Sequence, residues 1–248
     1  MTQSRPHPVS AVDHELTLVI PAHNEEHRLP RTLQAAKTFL DRWGIDYRVV
    51  VVDNDSRDNT ARLTAGFDRA FLTIAQPRRG KGAAVRQGML CATGAVVAFT
   101  DADLPYGLDA LRRGYDWIQR RECDVVYGVR GLEDATVAVR RRWQRSMASS
   151  VFRALARRLV SSDVTDTQCG FKMFSRHAAT EVFSRTTVDG FAFDAEVIVL
   201  ARHLGLKHAC VPVTLINEAG STLALRRHAL PMVRDVLLIR RRAADVRA

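Results

Sequence analysis

Apolar positions along the chain fall into two alternating patterns. Short runs rich in β-branched residues occur at LTLVI (16–20), YRVVVV (47–52), FLTIA (71–75), AVVAFT (95–100) and DVVYG (124–128). Each is too short for a buried helix and rich in β-branched residues, so each reads as a strand. Between them lie segments whose apolar residues recur at helical spacing, over 26–42, 58–66, 81–92 and 107–121. The strands show little of the in–out alternation of a sheet with one wet face. Strands apolar on both faces and separated by helices imply a mainly parallel sheet covered by helices on each side, an α/β fold.

The second half is less regular. Residues 138–160 read as a basic helix or helix pair, and DTQCGFKMFS (166–175) as a loop and short strand. A helix over 193–204 and a strand over 207–216 follow, then a helical segment over 224–242 that Pro231 would bend. Neither an internal repeat nor a low-complexity linker is visible. The simplest division is a disordered lead (1–13), a catalytic domain (14–222) and a basic amphipathic appendage (223–248).

In a parallel sheet, ligands bind beyond the carboxyl ends of the strands. The polar clusters of this chain sit there: PAHNEE after the first strand, DNDS after the second, DAD after the fourth. Asp101 and Asp103 lie two residues apart at the end of an apolar strand, and a turn there would converge both on one point. Paired carboxylates are costly unless a cation lies between them. Hard oxygen ligands favour magnesium or manganese, which also bind substrate phosphates. The plainer alternative is a pair of turn or capping aspartates ahead of the next helix.

Other phosphate sites are excluded. No GxGxxG follows a strand. RRGKGAA is not a P-loop, because Gly82 stands where Ser or Thr is needed and Ala75 where the first Gly is needed. Lys81 and Arg86, at the start of a helix, either reach a phosphate with help from the helix dipole or decorate an exposed first turn.

The formal net charge is +10, with Lys and Arg together 37 against 27 acidic residues. The excess is local, concentrated in 130–160 and 223–248, and so needs a local explanation: an anionic lipid surface, a phosphate-bearing acceptor, nucleic acid or a solvated face. The four cysteines are scattered without metal-ligand spacing, which fits reduced thiols in the cytosol. The N-terminal residues lack the apolar core of a signal peptide, and no run approaches the ~20 residues that cross a bilayer.

LVIPAHNEE, VVVVDNDSRDNT, RRGKGAAVRQGML, FTDAD, DVVYGVR, DTQCGFKMFS, FAFDAEV and PVTLINEAGSTL occur in an order that resembles the family-2 glycosyltransferases. GKGAAVRQGM, and above all DTQCGFK with FDAE, resemble the polyprenyl-phosphate branch typified by dolichyl-phosphate β-glucosyltransferases. The resemblance covers roughly residues 15–240. It implies a GT-A (Rossmann-like nucleotide-diphospho-sugar transferase) fold, a Mg2+- or Mn2+-dependent nucleotide-sugar site and inversion at the anomeric carbon. It further implies glucose moved from UDP-glucose to a polyprenyl or dolichyl phosphate. The scattered cysteines place the protein in the cytoplasm, the basic amphipathic segment 223–248 would hold it peripherally on a membrane, and the acidic strand ends argue against a nucleic-acid partner. Carried over by position, Pro21, Ala22, Asn24 and Glu25 line the nucleoside pocket and Asp53 contacts the base. Asp101, Ala102 and Asp103 match the metal-binding triplet. Arg130 matches a basic position near the acceptor phosphate, aided by Arg142 or Arg145, and Lys172 and Asp194 face the sugar and acceptor.

Three departures stand out. The usual DDGS reads Asp53-Asn54-Asp55-Ser56. Leu104-Pro105-Tyr106 replaces the Gln-containing tail of many mannosyl relatives. The C-terminal GSK reads Gly220-Ser221-Thr222. The alternatives left open are GDP-mannose or another donor, a soluble sugar or phosphometabolite acceptor and, in a different class, a basic nucleic-acid-binding module. Asp194 is the candidate base or sugar-orienting group, its alternative being a plain helix N-terminal acid. A phosphate acceptor is already ionised at neutral pH and needs no strong base.

Overall fold

The computed structural model describes residues 13–130 and 169–214. Residues 1–12 of the predicted lead, the basic segment 138–160 with Arg142 and Arg145, the Gly220-Ser221-Thr222 motif and the C-terminal appendage lie outside the described residues.

Strands β1 (His14–Ala22), β2 (Tyr47–Asp53), β3 (Phe71–Ala75), β4 (Gly94–Phe99) and β5 (Val125–Arg130) alternate with helices α1 (Leu29–Trp43), α2 (Thr60–Thr64), α3 (Lys81–Cys91) and α4 (Asp109–Gln119). β6 (Lys172–Ser175), α5 (Arg176–Phe183), α6 (Phe193–His203) and β7 (His208–Val213) follow. The strands form one sheet in the order β3-β2-β1-β4-β6-β5-β7. β1, β2, β3 and β4 pair in parallel, as do β5 and β7.

Successive residues of each central strand feed two cores. Leu16, Leu18 and Ile20 of β1 point to the side covered by Leu29, Leu33, Ala36 and Leu40 of α1 and Leu111 and Ile118 of α4. Val19 points to the other side, with Ala84, Val85 and Met89 of α3 and the apolar faces of α5 and α6. These strand side chains are fully buried, each contributing roughly 1.5–3 kcal/mol of apolar burial. Burial on both faces is why the strands read as continuous apolar runs.

Three elements differ from the sequence reading. β6 runs antiparallel to both β4 and β5 and is wedged between them. A four-residue strand carries no sign of its direction, which pairing alone decides. α1 begins at Leu29 rather than near residue 26. The backbone N–H groups of Asn24 and Glu26 donate instead to Ser56 and Asp58 in the loop after β2, and that of Glu25 to Thr60 at the start of α2. α5 has no counterpart among the predicted helices, although Ser175 caps it by accepting from Ala178 N–H.

Candidate active site

The chain leaves β1 toward β2 on one side, and β4 then adds to the opposite edge of β1. The carboxyl ends of β1 and β4 therefore flank a topological switch point, where α/β sheets form their crevice. PAHNEE and DAD are the segments that emerge there.

The residues after β4 form a tight turn. Leu104 N–H donates to Asp101 O at 3.0 Å, and Leu104 adopts φ 45°, a conformation uncommon for a branched side chain. The Thr32 hydroxyl of α1 donates to Ala102 O and pins the turn from below. The turn brings both aspartates to one place. Burial and the neighbouring Asp101 charge push the Asp103 carboxyl above the usual range. Burial likewise raises Glu25, against the pull of Arg28 and with the Asp103 charge adding to the shift. Burial is the larger cause at both carboxyls, and the repulsion between the acids adds to it.

Lys81, the first residue of α3, reaches into this cluster with Nζ 2.5 Å from Asp101 Oδ1. Burial alone would lower its pKa, but the Asp101, Asp194 and Asp103 carboxylates outweigh burial and hold the ammonium above an ordinary lysine. Its position depends on Asn54. The Asn54 amide donates to Gln76 O at 2.9 Å and Arg78 O at 2.8 Å, and its Oδ1 accepts from Gly80 N–H at 2.8 Å. Only an amide supplies both donors and the acceptor. The odd residue of the DNDS motif thus fastens the loop that leads into α3.

The antiparallel β6 explains how DTQCGFK joins the site. Its register sets Lys172 opposite Phe99, so the residues just before it stand beside the DAD turn. A Cβ at Gly170 would lie 2.1 Å from Asp101 Oδ2, and only glycine leaves room for that carboxylate. The Lys172 ammonium is 2.5 Å from Asp194 Oδ1 and 2.9 Å from Cys169 O, with only 1 % of its side chain exposed. Burial pushes Asp194 up, against the pull of Lys172 and Lys81. Asp101, Asp103, Lys81, Asp194 and Lys172 form one connected group of charges.

The other predicted residues divide. Pro21 and Ala22 end β1, and Ala22 pairs in register with Asp53 at the end of β2. One oxygen of Asp53 is buried without a hydrogen-bond donor. Asn24, at φ 55°, accepts from Arg57 N–H and shapes the loop. Arg130 ends β5 at the same sheet edge. Arg86 stands apart from the charge cluster, donating to Asp189 Oδ1 at 2.6 Å and to Thr186 O.

Sequence reading missed three structural residues. Asp189 takes Arg78 as well as Arg86, and its carbonyl accepts from Ala83 N–H of α3. Glu196 accepts from Thr187 and Val188 and fixes the loop that carries Asp189. Asn54 appeared only as a departure from DDGS. Glu196 alone had a signal, as the acid of FDAE.

Among the described residues no group of three or more His, Cys, Asp or Glu side chains could hold a metal ion. The two carboxylates at the turn nevertheless suit magnesium or manganese, which keep waters and take phosphate oxygens for the remaining positions. Burial and the neighbouring Asp101 charge both disfavour an ionised Asp103, and a cation between the two carboxylates would offset that cost.

The family model described as Glycosyl transferase family 2 matches residues 17–183, from β1 to the last residue of α5. A dolichyl-phosphate beta-glucosyltransferase of Dictyostelium discoideum is 31% identical over 240 residues, covering 91% of this chain and 73% of the relative. The Drosophila melanogaster protein of the same name is 33% identical over 248 residues, covering 91% and 74%. Among solved structures, glucosyl-3-phosphoglycerate synthase from Mycobacterium tuberculosis, in complex with Mn2+, UDP-glucose and phosphoglyceric acid, superposes with a TM-score of 0.68. That match has 18% identity and covers 96% of this chain and 86% of the other. The sheet is that of the GT-A glycosyltransferases. At its switch point the DAD turn faces β6 across Gly170, and the chain belongs to glycosyl transferase family 2.

Proposed function

We propose that this glycosyltransferase moves glucose from UDP-glucose onto a polyprenyl phosphate, with inversion at the anomeric carbon. The observation that carries the reading is the joining of the DAD turn to the DTQCGFK strand through Gly170, Lys172 and Asp194. It puts the family-wide donor motif and the polyprenyl-branch motif in one charge cluster. The names of the relatives support the acceptor and the donor sugar.

Each residue has a distinct task. Asp53, with its unpaired buried oxygen, accepts from the base. The Pro21–Glu25 loop, braced against Ser56 and Thr60, walls the nucleoside. Asp101 and Asp103 would hold the divalent ion, which when bound supplies Lewis-acid stabilisation of the departing diphosphate. An oxygen of the lipid phosphate attacks the anomeric carbon, the bond to the diphosphate breaks, and UDP leaves as an anion. No proton has to be removed from the nucleophile, so alignment and charge stabilisation dominate. Asp194, 4% exposed and bound to Lys172, acts by positioning that lysine rather than as a base. Arg130, at the carboxyl end of β5, is assigned to the acceptor phosphate.

The test is incubation of the protein with radiolabelled UDP-glucose, Mn2+ and a polyprenyl phosphate. Label should pass into organic solvent, and Asp101→Ala should reduce transfer by about 10²-fold or more. Label only from GDP-mannose would replace the donor. Water-soluble product formed with a phosphorylated metabolite would replace the acceptor.

A further inference from the structure

Lys81 occupies the position where a metal ion's charge is needed. Its Nζ is 2.5 Å from Asp101 Oδ1, and its side chain is only 19% exposed. The backbone beneath it has no slack. A Cβ on Gly80 would lie 2.1 Å from Asp189 O, and one on Gly82 would lie 2.3 Å from Val188 O. Asn54 holds the Gly80 N–H, and Asp189 O accepts from Ala83 N–H. The start of α3 is clamped on two sides, so the ammonium moves only by swinging its four-carbon stem.

A divalent ion on Asp101 and the ammonium on the same carboxylate repel each other, more strongly in this partly buried site than in bulk water. If the ammonium leaves, it needs another anion nearby. Asp194 is already engaged by Lys172 at 2.5 Å, and Asp55 by Arg79 at 2.6 Å. A nucleoside diphosphate brings the missing negative charge. We propose that Lys81 is a resident counter-cation, which holds the Asp101–Asp103 turn assembled before the metal binds and releases it when a nucleoside diphosphate takes up the ammonium. This rests on Asp101 and Asp103 being the metal ligands. Metal and nucleotide then bind as a coupled pair, each raising the other's affinity by the same factor. The coupling prevents the enzyme from filling its site with a metal ion that has no donor to activate.

The experiment is isothermal titration of Mn2+ alone, UDP alone and both together into wild type, Lys81→Met and Lys81→Arg, with thermal unfolding followed in parallel. Wild type should bind Mn2+ weakly alone and at least about tenfold more tightly with UDP, a difference of ~1.4 kcal/mol. Lys81→Met should bind Mn2+ alone about tenfold more tightly than wild type, and UDP alone more weakly. Lys81→Arg should keep the wild-type coupling. Should Lys81→Met fail to fold in chelator, Mn2+ alone should restore it; failure of Mn2+ to do so overturns the proposal. A folded Lys81→Met with wild-type or weaker affinity for Mn2+ alone also overturns it, while UDP binding by wild type keeps the donor-site reading. Wild type that binds neither Mn2+ nor UDP overturns both.

Discussion

Asn54 is 6% exposed and makes three hydrogen bonds that no other side chain of its size can make together. A carboxylate in place of this amide would turn two donors into acceptors facing the Gln76 and Arg78 carbonyls. Each of these half-buried carbonyls left without a donor costs on the order of 1 kcal/mol. Asn54→Asp should therefore lower stability by about 2 kcal/mol, read by chemical denaturation, and weaken UDP binding about tenfold through the displaced Lys81. Unchanged UDP affinity in this variant would separate the loop from the donor site. Sequence showed Asn54 only as a departure from a motif. Its partners lie 22 to 26 residues away, and nothing in local spacing announces them. Asp101 and Asp103 were legible because two carboxylates at a strand end carry a charge problem that sequence itself displays.

β6 and α6 are fastened by the Lys172–Asp194 pair, whose side chains are 1% and 6% exposed. Removing one partner leaves a buried charge uncompensated, whereas replacing both with apolar groups does not. Lys172→Met or Asp194→Asn alone should cost about 3–5 kcal/mol, and Lys172→Met with Asp194→Leu should recover most of that loss. A double-mutant cycle by denaturant unfolding measures the coupling. Recovered stability without recovered transfer would show that the pair serves catalysis as well as folding. The strands β1 to β5 and helices α1 to α4 were predictable from apolar period alone, because burial on both faces or along one stripe imprints it. The direction of β6 was not. Four residues, KMFS, fit a parallel or antiparallel slot equally, and only the free edges of β4 and β5 select one.

The whole chain carries a net charge of +10, and its excess arginines fall in 130–160 and 223–248. No helix among the described residues is long and apolar enough to cross a membrane. An enzyme using a polyprenyl phosphate must still meet its acceptor at a lipid surface, and clustered arginines attract anionic headgroups within a Debye length of about 8 Å at physiological salt. The protein should co-sediment with anionic vesicles at low ionic strength and be released by about 1 M salt, where the Debye length shrinks to roughly 3 Å. Indifference to vesicle charge would remove this role for the arginines. Sequence by itself determined the α/β class, the strand ends that carry the polar clusters, the carboxylate pair and the family. Each of these is written in local period, short spacing or motif order. Tertiary structure decided the rest: that β6 enters reversed beside β4, that Gly170 makes room for Asp101, that Asn54 seats Lys81, and that Lys172 and Asp194 neutralise each other. These are contacts between residues distant in the chain, set by strand register and by the requirement that buried charges and polar groups find partners.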